Sequence, residues 1–164
     1  MDFRFEIMTE VSINKQARLS QHFTLGELCK TSAKTQEGNI PSHVHIENLK
    51  CLCGWLEMLR SEWNKRYGEG DDPIVINSGY RSEAVNKAVG GVKGSNHLTG
   101  CAADIRVAGI EQLVRYATIL LDISDESQVD FDELLLERSP KGGYWLHFAV
   151  RPTGNRRKVR LIQT

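Results

Sequence analysis

The chain has 164 residues, and its 21 basic and 21 acidic side chains leave no formal net charge at pH 7. A balanced charge gives no global field that would attract nucleic acid or an anionic membrane, and 40% hydrophobic content is typical of a single globular domain. The four cysteines lack paired C-x-x-C spacing, which argues against both a zinc ribbon and a disulfide framework.

The N-terminal segment MDFRFEIMTEVSINK contains no continuous apolar stretch, and no run in the chain is long enough for a membrane span. We therefore expect no secretory signal peptide, no membrane span and synthesis in the cytoplasm, where the free thiols stay reduced. We expect residues 1–18 to form an N-terminal extension and residues 19–164 to form one domain.

Helical signals dominate the first part of the chain. Thr24, followed three residues later by Glu27, is a capping box that begins a short helix. From Ser42 onward, apolar residues recur at steps of three and four until Gly68. This spacing predicts one long helix over that range.

Short strands and helices alternate in the second part. The predicted strands are IVIN (74–77), CAADIRV (101–107), FDELLLE (131–137) and YWLHFAV (144–150). Residues 78–90 are predicted to leave the first strand through a glycine turn and to become a helix that ends near Gly90, and a further helix is predicted over 109–123. A hairpin loop is predicted over 138–143, and an edge segment in the basic tail. This order predicts an α+β fold with a small, mainly antiparallel sheet and the N-terminal helices packed on one side.

A candidate metal site lies in residues 94–107, GSNHLTGCAADIRV. Asp104 is on a predicted strand, and the small Ala102 shares its face because side chains alternate along a strand. Gly100 allows a sharp turn, so that His97 can approach from the preceding loop. This spacing suits two ligands of one ion.

A third ligand is needed, because a catalytic zinc site has three protein ligands and one open position. His147, in the last predicted core strand, is the candidate. Each of the three residues alone would more often have an ordinary structural role, but the three together favour a metal site. Ser95 is a candidate for positioning the loop through its hydroxyl group.

Two motifs carry a resemblance to a known family. They are Ser95-x-His97-x-x-Gly100-x-Ala102-x-Asp104 and, downstream, Trp145-x-His147. Both resemble the signature of the zinc D-alanyl-D-alanine carboxypeptidase family, whose members share a fold with hedgehog signalling domains and cut peptidoglycan stem peptides. INSGYRS (76–82) resembles a family segment, and HFTLGEL (22–28) and HFAVRPTGNRRKV (147–159) resemble a phage- and prophage-associated branch.

The resemblance implies roles for several residues. His97, Asp104 and His147 would bind one Zn2+ per chain. Arg81 would hold a carboxylate or carbonyl of the substrate, a role that suits its guanidinium fork. Backbone donors near Ser95 form a further candidate substrate-binding group, and the secondary candidates are Ser78 and Tyr80.

The general base departs from the commonest family pattern. Many relatives carry an acid three residues before the last histidine, where this chain has Tyr144, which is no base near neutral pH. Others carry a glutamate at the end of the preceding strand, and Glu137 stands there. Across a hairpin closed by 138–143, Glu137 would lie opposite Gly143 or Tyr144. We predict Glu137 as the base, and the fallbacks on the same strand are Asp132 and Glu133.

The sequence thus predicts a monomeric zinc metallopeptidase that hydrolyses peptide bonds of peptidoglycan stem peptides, as a D-Ala-D-Ala carboxypeptidase or a related endopeptidase. It would be an endolysin of a phage or prophage, released to the cell wall through a separate pore, or a housekeeping cytoplasmic dipeptidase. Tyr144, and Trp145 where relatives often carry a second histidine, leave open a non-catalytic, zinc-stabilised module that binds cell wall or a protein partner. Nucleic-acid binding through the basic tail is not expected at neutral total charge.

Overall fold

The computed structural model of the protein describes residues 12–164. Residues 1–11, which include most of the predicted N-terminal extension, lie outside the described part. The elements in chain order are α1 (Leu25–Leu28), α2 (His43–Arg66), β1 (Ile76–Ser78), α3 (Glu83–Ala88), a 3₁₀ turn (Asn96–Thr99), β2 (Ala102–Arg106), α4 (Ile110–Ser127), β3 (Glu133–Arg138), β4 (Tyr144–Ala149) and β5 (Lys158–Gln163).

The five strands form one sheet in the order β1-β2-β4-β3-β5. Neighbours pair antiparallel except β5, which runs parallel to β3 at the edge of the sheet. β5 reaches this edge because the segment after β4 passes around the start of β3, where the Lys158 N–H donates to the Asp132 carbonyl at 2.9 Å. The predictions of an α+β fold, a mainly antiparallel sheet and an edge position for the basic tail are confirmed.

Helices α2 and α4 cover one face of the sheet. The side chains that α2 buries recur every three or four residues, and they are Leu49, Leu52, Cys53, Trp55, Leu56, Leu59 and Trp63. Fully burying each leucine of this stripe stabilises the fold by roughly 1.5–3 kcal/mol. The Trp55 ring packs on Phe148 of β4 with 5.3 Å between ring centroids. Within residues 12–164, no helix has both the length and the apolar character needed to cross a membrane.

The opposite face of the sheet, here called the site face, carries polar side chains. On β2, Ala103 and Ile105 point toward the helices and are fully buried. Asp104 lies between them in sequence, so it points the other way. His147 of β4 is paired with Asp104 and shares its direction. The alternation of the strands thus separates the core from a second, polar surface.

Of the two later helices, one agrees with the prediction and the other is longer. α3 starts at Glu83, after the predicted glycine turn, because the Ser82 hydroxyl caps it by accepting the Val85 N–H at 3.2 Å. α4 continues beyond 123, until Gln128 adopts a left-handed conformation with φ 57°. The later end of α4 reflects a local cap that the hydrophobic spacing does not encode.

The predicted register of the hairpin between β3 and β4 is wrong by one or two residues. β3 ends one residue later than expected, at Arg138, and the turn is closed by Ser139, whose N–H donates to the Gly143 carbonyl at 2.8 Å. Glu137 is therefore paired with Trp145, and not with Gly143 or Tyr144. Pairing with Trp145 puts Glu137 on the site face, which carries His147.

The residues before α1 hydrogen-bond to that helix. The Leu25 N–H donates to the Ala17 carbonyl at 2.8 Å, and the Gly26 N–H donates to the Lys15 carbonyl at 3.1 Å. Gly26 has to be glycine, because a Cβ there would lie 2.8 Å from the Lys15 oxygen. The division into an extension (1–18) and one domain (19–164) stays a prediction.

Candidate metal centre and active site

Strand pairing places Asp104 and His147 side by side on the site face. Asp104 of β2 is the direct partner of His147 of β4, and Asp104 Oδ1 lies 3.0 Å from His147 Nδ1. The next pair on this face in one direction is Ala102 with Ala149, so only methyl groups flank the acid and the histidine on that side. Small residues beside Asp104 agree with the interpretation of the sequence.

His97 approaches the same carboxylate from the 3₁₀ turn. Ser95 caps this turn, because its hydroxyl accepts the His97 N–H at 3.3 Å. Gly100 ends the turn at φ +74°, and a Cβ at this position would lie 2.6 Å from the His45 carbonyl oxygen. Glycine is required by both the conformation and the close approach. His97 Nε2 consequently lies 3.3 Å from Asp104 Oδ1.

The three side chains have the spacing of zinc ligands. One ligand atom from each of His97, Asp104 and His147 can be chosen so that all lie within 4.8 Å of one another. Tetrahedral zinc with bonds of about 2.0–2.1 Å holds neighbouring ligand atoms about 3.3 Å apart. The separations of 3.0 and 3.3 Å from the aspartate oxygen are close to this value. Two imidazoles and one carboxylate leave a fourth position open, as catalytic zinc sites do.

Each histidine is oriented by a hydrogen bond at its other ring nitrogen. His97 Nδ1 lies 2.7 Å from the Gly79 carbonyl oxygen, and His147 Nε2 lies 3.0 Å from Glu133 Oε2. An acceptor at the outer nitrogen holds the N–H there and leaves the inner nitrogen with its lone pair. Position 79 has to be glycine, because a Cβ there would overlap the Leu28 carbonyl oxygen.

Opposite charges are concentrated in this site. Burial opposes the ionisation of Asp104, but hydrogen bonds from His147 and His97 outweigh it and hold the pKa of Asp104 well below its usual range. Burial also disfavours the charged form of His147, yet Asp104 and Glu133 raise the pKa of His147 to about 9. The hydrogen bond from His147 is the main cause that lowers the pKa of Glu133 to about 2. Such surroundings favour a cation, and a metal ion binding there would displace a proton.

Glu137 lies on the site face, one residue pair from His147. Its partner across the strands is Trp145, and β3 alternation puts it on the same side as Glu133. Burial and the charge of Asp104 raise the pKa of Glu137, and the opposing effects of His147 and Trp145 are smaller. Tyr144, in contrast, packs against the hydrophobic core on the opposite side. Glu137 therefore shares the site face with Glu133 and the three clustered residues, and its role as general base stays a prediction.

Arg81 and Ser95 lie beside the three clustered residues. The Arg81 guanidinium lies 3.1 Å from Asp104 Oδ2 and 3.0 Å from the Ser78 hydroxyl, and its backbone N–H donates to the His97 carbonyl at 2.9 Å. The predicted loop-positioning role of Ser95 is seen in its cap on His97. Substrate contact by Arg81 or Ser95 stays a prediction.

For several polar residues at the site, the sequence carried no signal or predicted another role. Glu133 was only a fallback base, yet it contacts His147 directly. The strand alternation Glu133, Leu135, Glu137 was the signal that could have placed both acids on one face. Asp132, the other fallback, is fully buried and bonded to Arg156. Asn96, which joins Asp132 to Glu133, carried no signal in the sequence.

Comparison with known proteins agrees with this geometry. The sequence model of the family described as peptidase M15 matches residues 21–123, more than half of the chain. The chain belongs to the peptidase M15 family. It is also similar to the zinc D-Ala-D-Ala carboxypeptidase of Streptomyces albus G, with 31% identity over 84 residues, or 51% of this chain. The match spans 31% of that protein, so this chain covers about a third of its relative.

The M15 match has a clear boundary with respect to the site. It contains Arg81, His97 and Asp104, whereas Glu137 and His147 lie after its last residue. β3 and β4 bring these two later residues onto the site face by strand pairing. The candidate zinc site thus rests on the family together with the fold.

Proposed function

We propose that this chain is a zinc-dependent peptidase that hydrolyses a peptide bond of bacterial peptidoglycan stem peptides. The observation that carries the proposal is the convergence of His97, Asp104 and His147, with Glu137 on the same face of the sheet. Membership of the peptidase M15 family and the similarity to a zinc D-Ala-D-Ala carboxypeptidase support it.

In this proposal His97, Asp104 and His147 hold one Zn2+ per chain. A bound zinc ion supplies Lewis acidity that polarises the carbonyl of the scissile bond. Glu137 acts as general base: it takes a proton from the attacking water and returns it to the leaving amine. The raised pKa of Glu137 suits the first of these transfers, because a more basic carboxylate accepts a proton from the attacking water more readily.

The substrate proposal rests on cationic groups around the site. Arg81 would bind a carboxylate or carbonyl of the peptide, and backbone donors near Ser95 would orient it. Two exposed arginines lie on the site face, each paired across the strands with a residue close to His147. Arg106 is paired with Trp145, and Arg160 is paired with Leu135, the other neighbour of His147. This arrangement fits a peptide that carries free carboxylates, as stem peptides do.

The proposal includes a monomeric protein that acts as a lytic enzyme of a phage or prophage on the cell wall. A D-Ala-D-Ala carboxypeptidase would release free D-alanine from a pentapeptide stem. A related endopeptidase would instead expose a new amine within the peptide network. The products therefore distinguish the two activities.

The test is digestion of purified peptidoglycan by the zinc-loaded protein, with products identified by mass spectrometry. Glu137→Gln should lower the rate by roughly 10²–10⁴-fold and retain the metal, because it removes only the general base. Glu126→Gln, an exposed glutamate of α4, is the matched control and should have the wild-type rate. Zinc-loaded wild type that releases no product would refute the proposal.

A second candidate function is a non-catalytic, zinc-stabilised module that binds cell wall or a protein partner. Trp145 favours it, because relatives often carry a histidine at that position. Sedimentation with insoluble peptidoglycan distinguishes the candidates. Under this alternative, wild type and Glu137→Gln bind equally and neither releases a product.

A further inference from the structure

Glu133 at the start of β3 makes contacts that the proposed reaction does not use. Its Oε2 atom lies 3.0 Å from His147 Nε2, on the side of the imidazole ring that faces away from Asp104. The same oxygen accepts a hydrogen bond from the Asn96 amide at 3.1 Å. The Glu133 side chain is 13% exposed, so water competes little for these contacts.

Glu133 is itself held in place at its other oxygen. Oε1 lies 3.1 Å from Arg156 Nη2 and 3.5 Å from Lys158 Nζ. Arg156 in turn donates two hydrogen bonds to Asp132, at 2.9 and 2.8 Å, and the Asp132 side chain is fully buried. A bidentate pair with a buried acid fixes the guanidinium, and the guanidinium fixes the Glu133 carboxylate.

Asn96 connects this group to the other histidine. It precedes His97 in the 3₁₀ turn, and its amide nitrogen donates to Asp132 at 2.7 Å as well as to Glu133. Its amide oxygen accepts a hydrogen bond from Arg151 at 2.9 Å. The segment that carries His97 is therefore tied to the carboxylate that orients His147.

We propose that Glu133 is a positioning residue for the zinc site. By accepting the Nε2 hydrogen of His147 it would fix the tautomer in which Nδ1 faces the metal, and through Asn96 it would hold the His97 segment at the matching distance. The inference rests on the proposed function, because it assumes that zinc binds to His97, Asp104 and His147.

The geometry separates this role from that of a general base. Both Glu133 oxygens accept hydrogen bonds from neighbouring side chains, and the carboxylate lies behind the His147 ring as seen from Nδ1. Glu137, four residues further along β3, has Trp145 as its cross-strand partner. The two acids of β3 thus have different tasks, orientation for Glu133 and proton transfer for Glu137.

The experiment compares zinc affinities by competition with a chromogenic chelator. Glu133→Ala should bind zinc roughly 10–100-fold more weakly than wild type, the usual effect of losing such a partner. Glu133→Gln keeps an acceptor at the same place and should recover most of the affinity. Glu137→Gln should bind zinc like wild type while losing hydrolysis, so that the two acids show opposite patterns.

Each outcome is decisive. Glu133→Ala with wild-type affinity, or Glu133→Gln as weak as Glu133→Ala, overturns the positioning role. Zinc-loaded wild type gives a second readout by nitrogen NMR: His147 should carry its proton on Nε2, and a proton on Nδ1 would overturn the inference even if a variant failed to fold. Wild type that binds no zinc refutes the proposed function itself, which is a distinguishable result.

Discussion

Gly100→Ala tests how the sequence brings His97 to Asp104. Gly100 lies at φ +74°, where an alanine costs about 1–2 kcal/mol. Its Cβ would also lie 2.6 Å from the His45 carbonyl oxygen, a backbone atom that cannot rotate away. Forcing an extra atom into packed structure costs about another 1–3 kcal/mol. We therefore expect a total loss of about 2–5 kcal/mol in the free energy of unfolding, together with weaker zinc binding as the turn shifts.

Gly94→Ala is the matched control for this change. Gly94 has nearly the same conformation, φ +73°, but a Cβ there would meet no atom within 4 Å. It should lose only the conformational contribution and bind zinc like wild type. Urea unfolding of both variants gives the two free energies. If Gly100→Ala is no less stable than Gly94→Ala, the close approach to His45 does not constrain the turn, and the reasoning fails.

Two further variants test the surroundings of the site. Arg81→Lys should keep its zinc but raise KM about tenfold for a peptide with a free terminal carboxylate, because lysine lacks the guanidinium fork. An unchanged KM would contradict this role for Arg81, and so would an equal rise of KM for the same peptide with a C-terminal carboxamide. Burial opposes the charge of Asp132, but hydrogen bonds from Arg156 and Asn96 outweigh it and lower the pKa of Asp132 from 3.8 to about 2. The stability that the ionised Asp132 contributes to the fold is complete above pH 4 and is lost toward pH 2. The difference in unfolding free energy between wild type and Asp132→Asn should thus shrink by about 2 kcal/mol from pH 5 to pH 2 in urea titrations. A difference that stays constant over this range would contradict the stabilising role of the Asp132 charge.

The part of the site that the sequence reveals is the part built from local spacing. His97, Gly100 and Asp104 lie within eight consecutive residues, so a turn followed by a strand determines their approach. The alternation of β2 and β4 then predicts that Asp104 and His147 point away from the core. These features follow from short-range geometry, and the structure agrees with them.

The remainder depends on pairings between distant segments. The contact between Glu133 and His147 requires the register of β3 against β4, which a turn of uncertain length does not fix. The network of Asn96, Asp132 and Arg156 joins three separate parts of the chain, and it forms because β5 returns to the start of β3. No periodicity in the sequence indicates such a return. Polar networks of this kind are therefore visible only in the folded structure.

The central claim is that His97, Asp104 and His147 bind one zinc ion. The most direct test is elemental analysis of the purified protein after incubation with zinc and removal of excess metal, repeated on His97→Ala. His43→Ala, an exposed histidine at the start of α2, is the control. We predict about one zinc per chain in wild type and in His43→Ala, and a loss of zinc in His97→Ala. Wild type without metal, or His97→Ala with as much zinc as wild type, would contradict the account.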